Sequence, residues 1–174
     1  MAVPLKGFVK RTKDFIDPHN GKGDIKKKIV REVSIYSFSN DPLRMLRAFR
    51  FMSIIGFKIE ENTFLKIKKL AAKINQVSPE RIFNELKIIL SSKNSYPSIL
   101  LMHNSGLLKR ILFDFYSKKE LLHSLNMLNH SETLLSDPSQ TKLKPLKRIK
   151  KLLASNLELI KLGALLSPLQ KISP

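Results

Sequence analysis

The sequence has no cysteine and no tryptophan, only six glycines, and 14 aspartates and glutamates against 32 lysines and arginines. Without cysteine there are no disulfides, no thiolate metal ligands and no cysteine nucleophile. No apolar run reaches the ~18–20 residues a membrane helix needs. Met1 to Lys13 lacks the long apolar stretch and small-residue cleavage site of a secretory signal, so a cytoplasmic chain without a membrane partner is expected. The shortage of acids leaves a formal net charge of +18 over 174 residues. An apolar share of 43% is too high for a disordered basic tail and sufficient for a core. The basic excess runs through both halves of the chain, which favours a basic face assembled by folding. Such a face addresses polyanions, RNA or DNA ahead of anionic lipid. A lysine-rich composition inherited from an AT-rich genome yields the same charge with no partner at all.

Punctuation along the chain is helical from Asn40 onward. Before it, Asp17-Pro18-His19-Asn20-Gly21-Lys22-Gly23-Asp24 is turn chemistry, and Ile29, Val33 and Ile35 fit a strand or a helix equally. Asp41-Pro42 reads as a helix cap followed by proline in the first turn, and Gly56 closes that helix. Phe64, Ile67, Leu70, Ala71 and Ile74 repeat at helical spacing. Ser78-Pro79 opens a third helix with Ile82, Phe83, Leu86, Ile89 and Leu90 on its buried side. Tyr96-Pro97 starts a short helix that Gly106 ends, and Leu107 to Tyr116 forms another apolar segment. Lys118 to Leu135 and Pro145 to about Leu166 give two longer helices. On the last, Lys144, Lys147, Arg148 and Lys151 form one basic stripe expected to touch RNA. The fold class expected is mainly α: a helical bundle with a short irregular α+β portion at the N-terminus.

The cluster with the most chemistry is Asp41-Pro42-Leu43-Arg44-Met45-Leu46-Arg47-Ala48-Phe49-Arg50. Arg44, Arg47 and Arg50 share one side of a helix, and Leu46, Phe49 and Met52 lie across from them. Two readings of Asp41 and Arg44 stand at this level. A carboxylate acceptor beside a planar guanidinium donor can read the Watson–Crick edge of a base. Alternatively, Asp41 caps the helix and the arginines are solvated. His123 and His130, two turns apart, read as solvated or structural histidines rather than metal ligands.

Asp41 through Phe51 resembles the neck motif of the bacterial class II CCA-adding tRNA nucleotidyltransferases and poly(A) polymerases. Ile16 through Ile25, continuing to Arg31, is similar to the segment joining the family's head to its neck. Val77-Ser78-Pro79-Glu80-Arg81-Ile82-Phe83-Asn84-Glu85-Leu86 resembles the family's Glu-Arg helix, and Ser105-Gly106-Leu107-Leu108 the end of its RNA-binding body. The resemblance implies a protein template for CTP and ATP at Asp41 and Arg44. It implies nucleotide-pocket or RNA-backbone support from Arg47, Glu80 and Arg81, and RNA contact from Arg50. Asn40 departs from the acid usual before the template aspartate.

The same resemblance implies chemistry that these residues do not supply. The family's paired Asp-x-Asp, which binds two Mg²⁺ ions, belongs to a head domain, and neither Asp14, Asp17, Asp24 nor Glu32 forms such a pair. Glu120 to Asn126 and Ile160 to Leu166 resemble helices of a metal-dependent phosphohydrolase domain, but Ser167-Pro168 stands where its His-Asp pair belongs. The expectation is therefore a head remnant over residues 1–37, a nucleotide- and RNA-binding neck and body over 38–115, and a degenerate helical tail over 116–174. No catalytic or metal-binding residue is assigned. Two functions follow from the resemblance. One is a tRNA- or RNA-binding module without catalysis of its own. The other is the nucleotide-selecting subunit of a split enzyme whose separate head chain supplies Mg²⁺ chemistry on CTP or ATP. Whether CCA or poly(A) is added is left open.

Overall fold

Asp17 shapes the first turn of the computed structural model, which describes residues 16–112, 118–136 and 157–166. Its carboxylate accepts hydrogen bonds from the backbone N–H groups of Gly21 (2.7 Å) and Lys22 (2.8 Å). A helix start leaves such donors unpaired, so the segment expected as a turn winds into helix α1, Gly21–Lys27. The Lys22 and then the Gly21 N–H hold the Asp17 carboxyl below its ordinary value of 3.8. Lys28 leaves α1 in the left-handed conformation (φ 54°) and the chain enters β1, Ile29–Val30. This strand pairs in parallel with β2, Lys58–Ile59, in the register Ile29 to Lys58 and Val30 to Ile59. The Glu32–Lys66 ion pair (2.7 Å) and the Glu32 N–H bond to Thr63 add further ties across the same junction. Of the three apolar residues left undecided, Ile29 is thus in a strand, whereas Val33 and Ile35 are exposed.

A short α2, Ser37–Asn40, leads into α3, Leu43–Ile55. Met45, Leu46 and Phe49 are fully buried on α3, and Gly56 (φ 69°) ends it as the sequence indicates. Helix α4, Glu61–Leu70, continues into a 3-10 turn over Ala71–Gln76, so the second apolar stripe changes helix type at Ala71. Helix α5, Pro79–Ser91, packs along α3 and buries Leu86, Ile89 and Leu90. Phe83 corrects the expected stripe: it lies at the margin of the Leu86–Leu90 face and is half exposed. Helices α6, Tyr96–Asn104, and α7, Leu107–Ile111, close the body around Ile99, Met102, Leu107 and Leu108. The mainly α architecture is the one expected, with a sheet of two short strands among the described residues.

Two further helices, α8 over Lys118–Ser136 and α9 over Leu157–Leu166, pack on each other and on the body. Their anchor is polar. Glu132 on α8 accepts from the backbone and hydroxyl of Ser95 and from the backbone N–H of Tyr96, satisfying the open donors at the start of α6. Lys161 on α9, with no exposed surface, donates to Glu132, to the Ser92 carbonyl (2.6 Å) and to the Ser95 hydroxyl (3.3 Å). Every proton of the ammonium thus has an acceptor, which offsets the cost of taking the charge out of water.

Lys161→Met leaves Glu132 buried without its counter-charge and should cost about 3 kcal/mol, read by urea denaturation. At α1 the sign runs the other way in pH. The lowered Asp17 carboxyl stabilises α1 above its ordinary titration range and loses that effect as pH falls through its folded value. Asp17→Asn should therefore loosen α1 at neutral pH and match the parent once pH is below the carboxylate range, as read by NMR shifts of Gly21 and Lys22.

Candidate nucleic-acid interface

Helices α3 and α5 build the candidate site side by side, and a carboxylate joins them. Glu85 on α5 is 6% exposed and lies between two arginines of α3. Arg47 Nε donates to its Oε1 at 3.2 Å, and Arg50 NH1 reaches Oε2 at 2.9 Å and Oε1 at 3.2 Å. Charge-assisted bonds of this kind are strong when partly shielded from water. Arg50 also lies over the Phe51 ring, 5.3 Å from its centroid. One helical turn before Glu85, Arg81 projects toward the start of α3, where NH2 meets Asp41 Oδ1 at 3.5 Å. Arg44 Nε faces the other oxygen of Asp41, Oδ2, at 3.8 Å.

Asp41 therefore does not act as the helix cap that its position suggests. Pro42 occupies the capping position, and the Asp41 backbone carbonyl, not its side chain, accepts from the Arg44 N–H (3.0 Å). The carboxylate is left on the rim, a quarter exposed, between two arginines that each keep about half their surface in solvent. The arrangement presents one acceptor group and two planar donor groups within reach of a single ligand edge. It is suited to a base edge, an anionic phosphate or both.

The structure brings together Asp41, Arg44 and Arg81, and below them Arg47 and Arg50 on Glu85. Glu80 sits exposed in the first turn of α5 and makes no ion pair with Arg81 among the described residues. Arg81 reaches across to Asp41 instead. Arg50, expected to contact RNA, has its NH1 engaged by both oxygens of Glu85. Lys144, Lys147, Arg148 and Lys151 lie outside the described residues, as do Asp14 and Ser167-Pro168. His123 and His130 are exposed on α8. Glu85 is the residue that sequence reasoning passed over as a site residue. Its one signal was an acid on the apolar side of α5, four residues beyond Arg81.

The acids do not fit a pair of divalent metals. Both Asp17 oxygens are held by backbone N–H groups, Asp24 pairs with Arg31, Asp41 with two arginines, and Glu32 with Lys66. No cluster of three or more potential metal ligands occurs among the described residues.

The site thus consists of a partly exposed acid just before α3, set between Arg44 of α3 and Arg81 of α5 on a helical body. Residues 56–117 match the family described as the probable RNA and SrmB-binding site of polymerase A. The CCA-adding enzyme of Buchnera aphidicola subsp. Cinara cedri is 36% identical over 137 residues, covering 72% of this chain and 33% of that protein. A CCA-adding enzyme solved with CTP superposes with a TM-score of 0.63 at 26% identity, covering 80% of this chain and 33% of that one. The Thermotoga maritima CCA-adding enzyme solved with tRNA gives a TM-score of 0.63 at 25% identity, covering 83% and 34%. These matches support the CCA-adding enzyme and poly(A) polymerase family for this chain, which spans about a third of the length of the curated relatives it matches.

If Glu85 sets the spacing of α3 and α5, Glu85→Leu should free both arginines and lower stability by about 2 kcal/mol. Glu85→Gln, which keeps an acceptor but no charge, should lose less. Thermal melts of the two variants beside the parent check the order.

Proposed function

We propose that this chain binds RNA, with tRNA as the preferred class, and that Asp41, Arg44 and Arg81 select the base of an incoming nucleotide or of the RNA end. The observation that carries this reading is the Asp41 carboxylate, freed from helix capping and held at the rim between two half-exposed arginines. The +18 charge supports an RNA partner, and relatives solved with CTP and with tRNA support both ligand classes. Arg47 and Arg50 act as positioning residues through Glu85, with the open edge of Arg47 available to phosphate. Residues 38–115 form the working unit in this reading. Lys144, Lys147, Arg148 and Lys151 add phosphate contacts in this reading. No described helix is long and apolar enough to cross a membrane.

The second reading makes the chain the nucleotide-selecting part of a nucleotidyltransferase whose metal-binding carboxylates come from a separate head. The retained Asp41–Arg44–Arg81 constellation favours it, because a pure phosphate clamp has no use for the acid. Under this reading Mg²⁺ and CTP or ATP act only in the presence of that head, which would add CMP or AMP to an RNA 3′ end.

Fluorescence titration against tRNA tests the first reading. Affinity should fall about tenfold or more between ~50 and ~200 mM salt as phosphate counterions are released. Absent or salt-indifferent binding would overturn it. Asp41→Ala should reduce discrimination among nucleoside triphosphates by about 2 kcal/mol in equilibrium dialysis while leaving the salt slope for tRNA unchanged. The second reading predicts incorporation of labelled CTP or ATP into tRNA lacking its 3′ end only when a head domain is added.

A further inference from the structure

The α3–α5 pair has a second open end, opposite Asp41 and about 20 Å away by the rise of α3. Here α3 stops at Ile55 before Gly56, α5 stops at Ser91, and α6 begins. Between these ends lies an open cleft of about 820 Å³. Ile54, Ile55 and Ile88 line it and expose 55%, 49% and 39% of their surfaces. Grouped aliphatic exposure of this kind, inside a concave site, marks a surface that something covers. Lys58 and Lys93 line the same cleft and no aspartate or glutamate does, so its charge complements an anion. Ser98 belongs to the lining, is 1% exposed, and its hydroxyl has no hydrogen-bond partner among the described residues.

We propose that this cleft receives an unstacked nucleobase of bound RNA. The reading rests on the RNA binding proposed above and adds a site that the Asp41 rim does not supply. The isoleucine wall takes the face of the base. The Ser98 hydroxyl meets a polar group on its edge, and Lys58 and Lys93 take the flanking phosphates. An apolar peptide would use the isoleucines but leave both lysines unanswered. A duplex backbone would use the lysines but leave the isoleucines in water. An unstacked nucleotide uses both.

The test compares a short single-stranded RNA with the same strand carrying one abasic position, by fluorescence anisotropy with the full chain. The parent protein should prefer the intact strand by about tenfold, the range expected for one stacked base. The Ile54→Ser, Ile88→Ser double variant should bind both strands alike, at the parent's affinity for the abasic one. Lys93→Glu should weaken both strands together. Ile54 and Ile88 are solvent-facing, so the double variant should melt with the parent, and circular dichroism checks this. If RNA binds but the double variant keeps the full preference for the intact strand, the cleft is not the base site and the proposal falls alone. If the parent binds neither strand at any salt concentration, the RNA-binding reading falls with it.

Discussion

Glu85 is the constraint from which the site follows. A carboxylate buried between two helices must keep its counter-charges or lose several kcal/mol of solvation without return. Arg47 and Arg50, one turn apart on α3, supply them. Because both arginines come from one helix and the acid from the other, the contact fixes how far α5 slides along α3. That slide decides where Arg81, one turn up from Glu85, meets α3. It meets Asp41. A shift of one residue, 1.5 Å along the axis and 100° around it, would turn Arg81 away from the carboxylate. The rim that we read as nucleotide-selecting is therefore a consequence of a contact made below it.

The second buried charge pair works on a different scale. Glu132 and Lys161 join α8 and α9 to the loop between α5 and α6, and the same carboxylate serves the start of α6. Cutting the Glu85 contact leaves two arginines that can turn into solvent, since both are partly exposed. Cutting the Lys161 contact leaves a carboxylate with nowhere to go. The rim thus tolerates local adjustment, as a ligand-binding edge needs to, whereas the packing of the two long helices on the body is all-or-none.

Local order was legible in the sequence wherever one residue type carries one job. Gly56 and Gly106 stop helices through positive φ, Pro79 opens α5, and Leu46 and Phe49 mark the inner face of α3, although Met52, the third residue expected there, is only partly buried. Asp41 was legible as a functional candidate, yet capping was the better reading of the residues alone until the structure put Pro42 at the cap and the carboxylate on the rim. The Asp17 segment misleads because glycine and proline mark turns, while the carboxylate that converts the turn into a helix acts on donors four and five residues on. Glu85, Glu132 and Lys161 were not legible as partners. Their contacts run over 29 to 69 residues, and helical periodicity carries only i to i+4 information. An acid on an apolar face signals that a partner exists without naming it.

Scarcity of acid explains how these pieces add up to a surface for polyanions. Asp24, Glu32, Asp41, Glu60, Glu85 and Glu132 are all spent on ion pairs between elements, and Asp17 is spent on a helix start. With seven of its 14 carboxylates committed in this way, the protein has few left with which to neutralise its exterior. Lys58, Lys68, Lys69, Lys87 and Lys93 face solvent without an ion-pair partner among the described residues. The positive potential and the fold respond differently to a change in the acids. Adding acids to the surface would quench it, and deleting the acids already present would unfasten α3 from α5 or the long helices from the body. Stability and attraction for phosphate draw on the same small set of carboxylates.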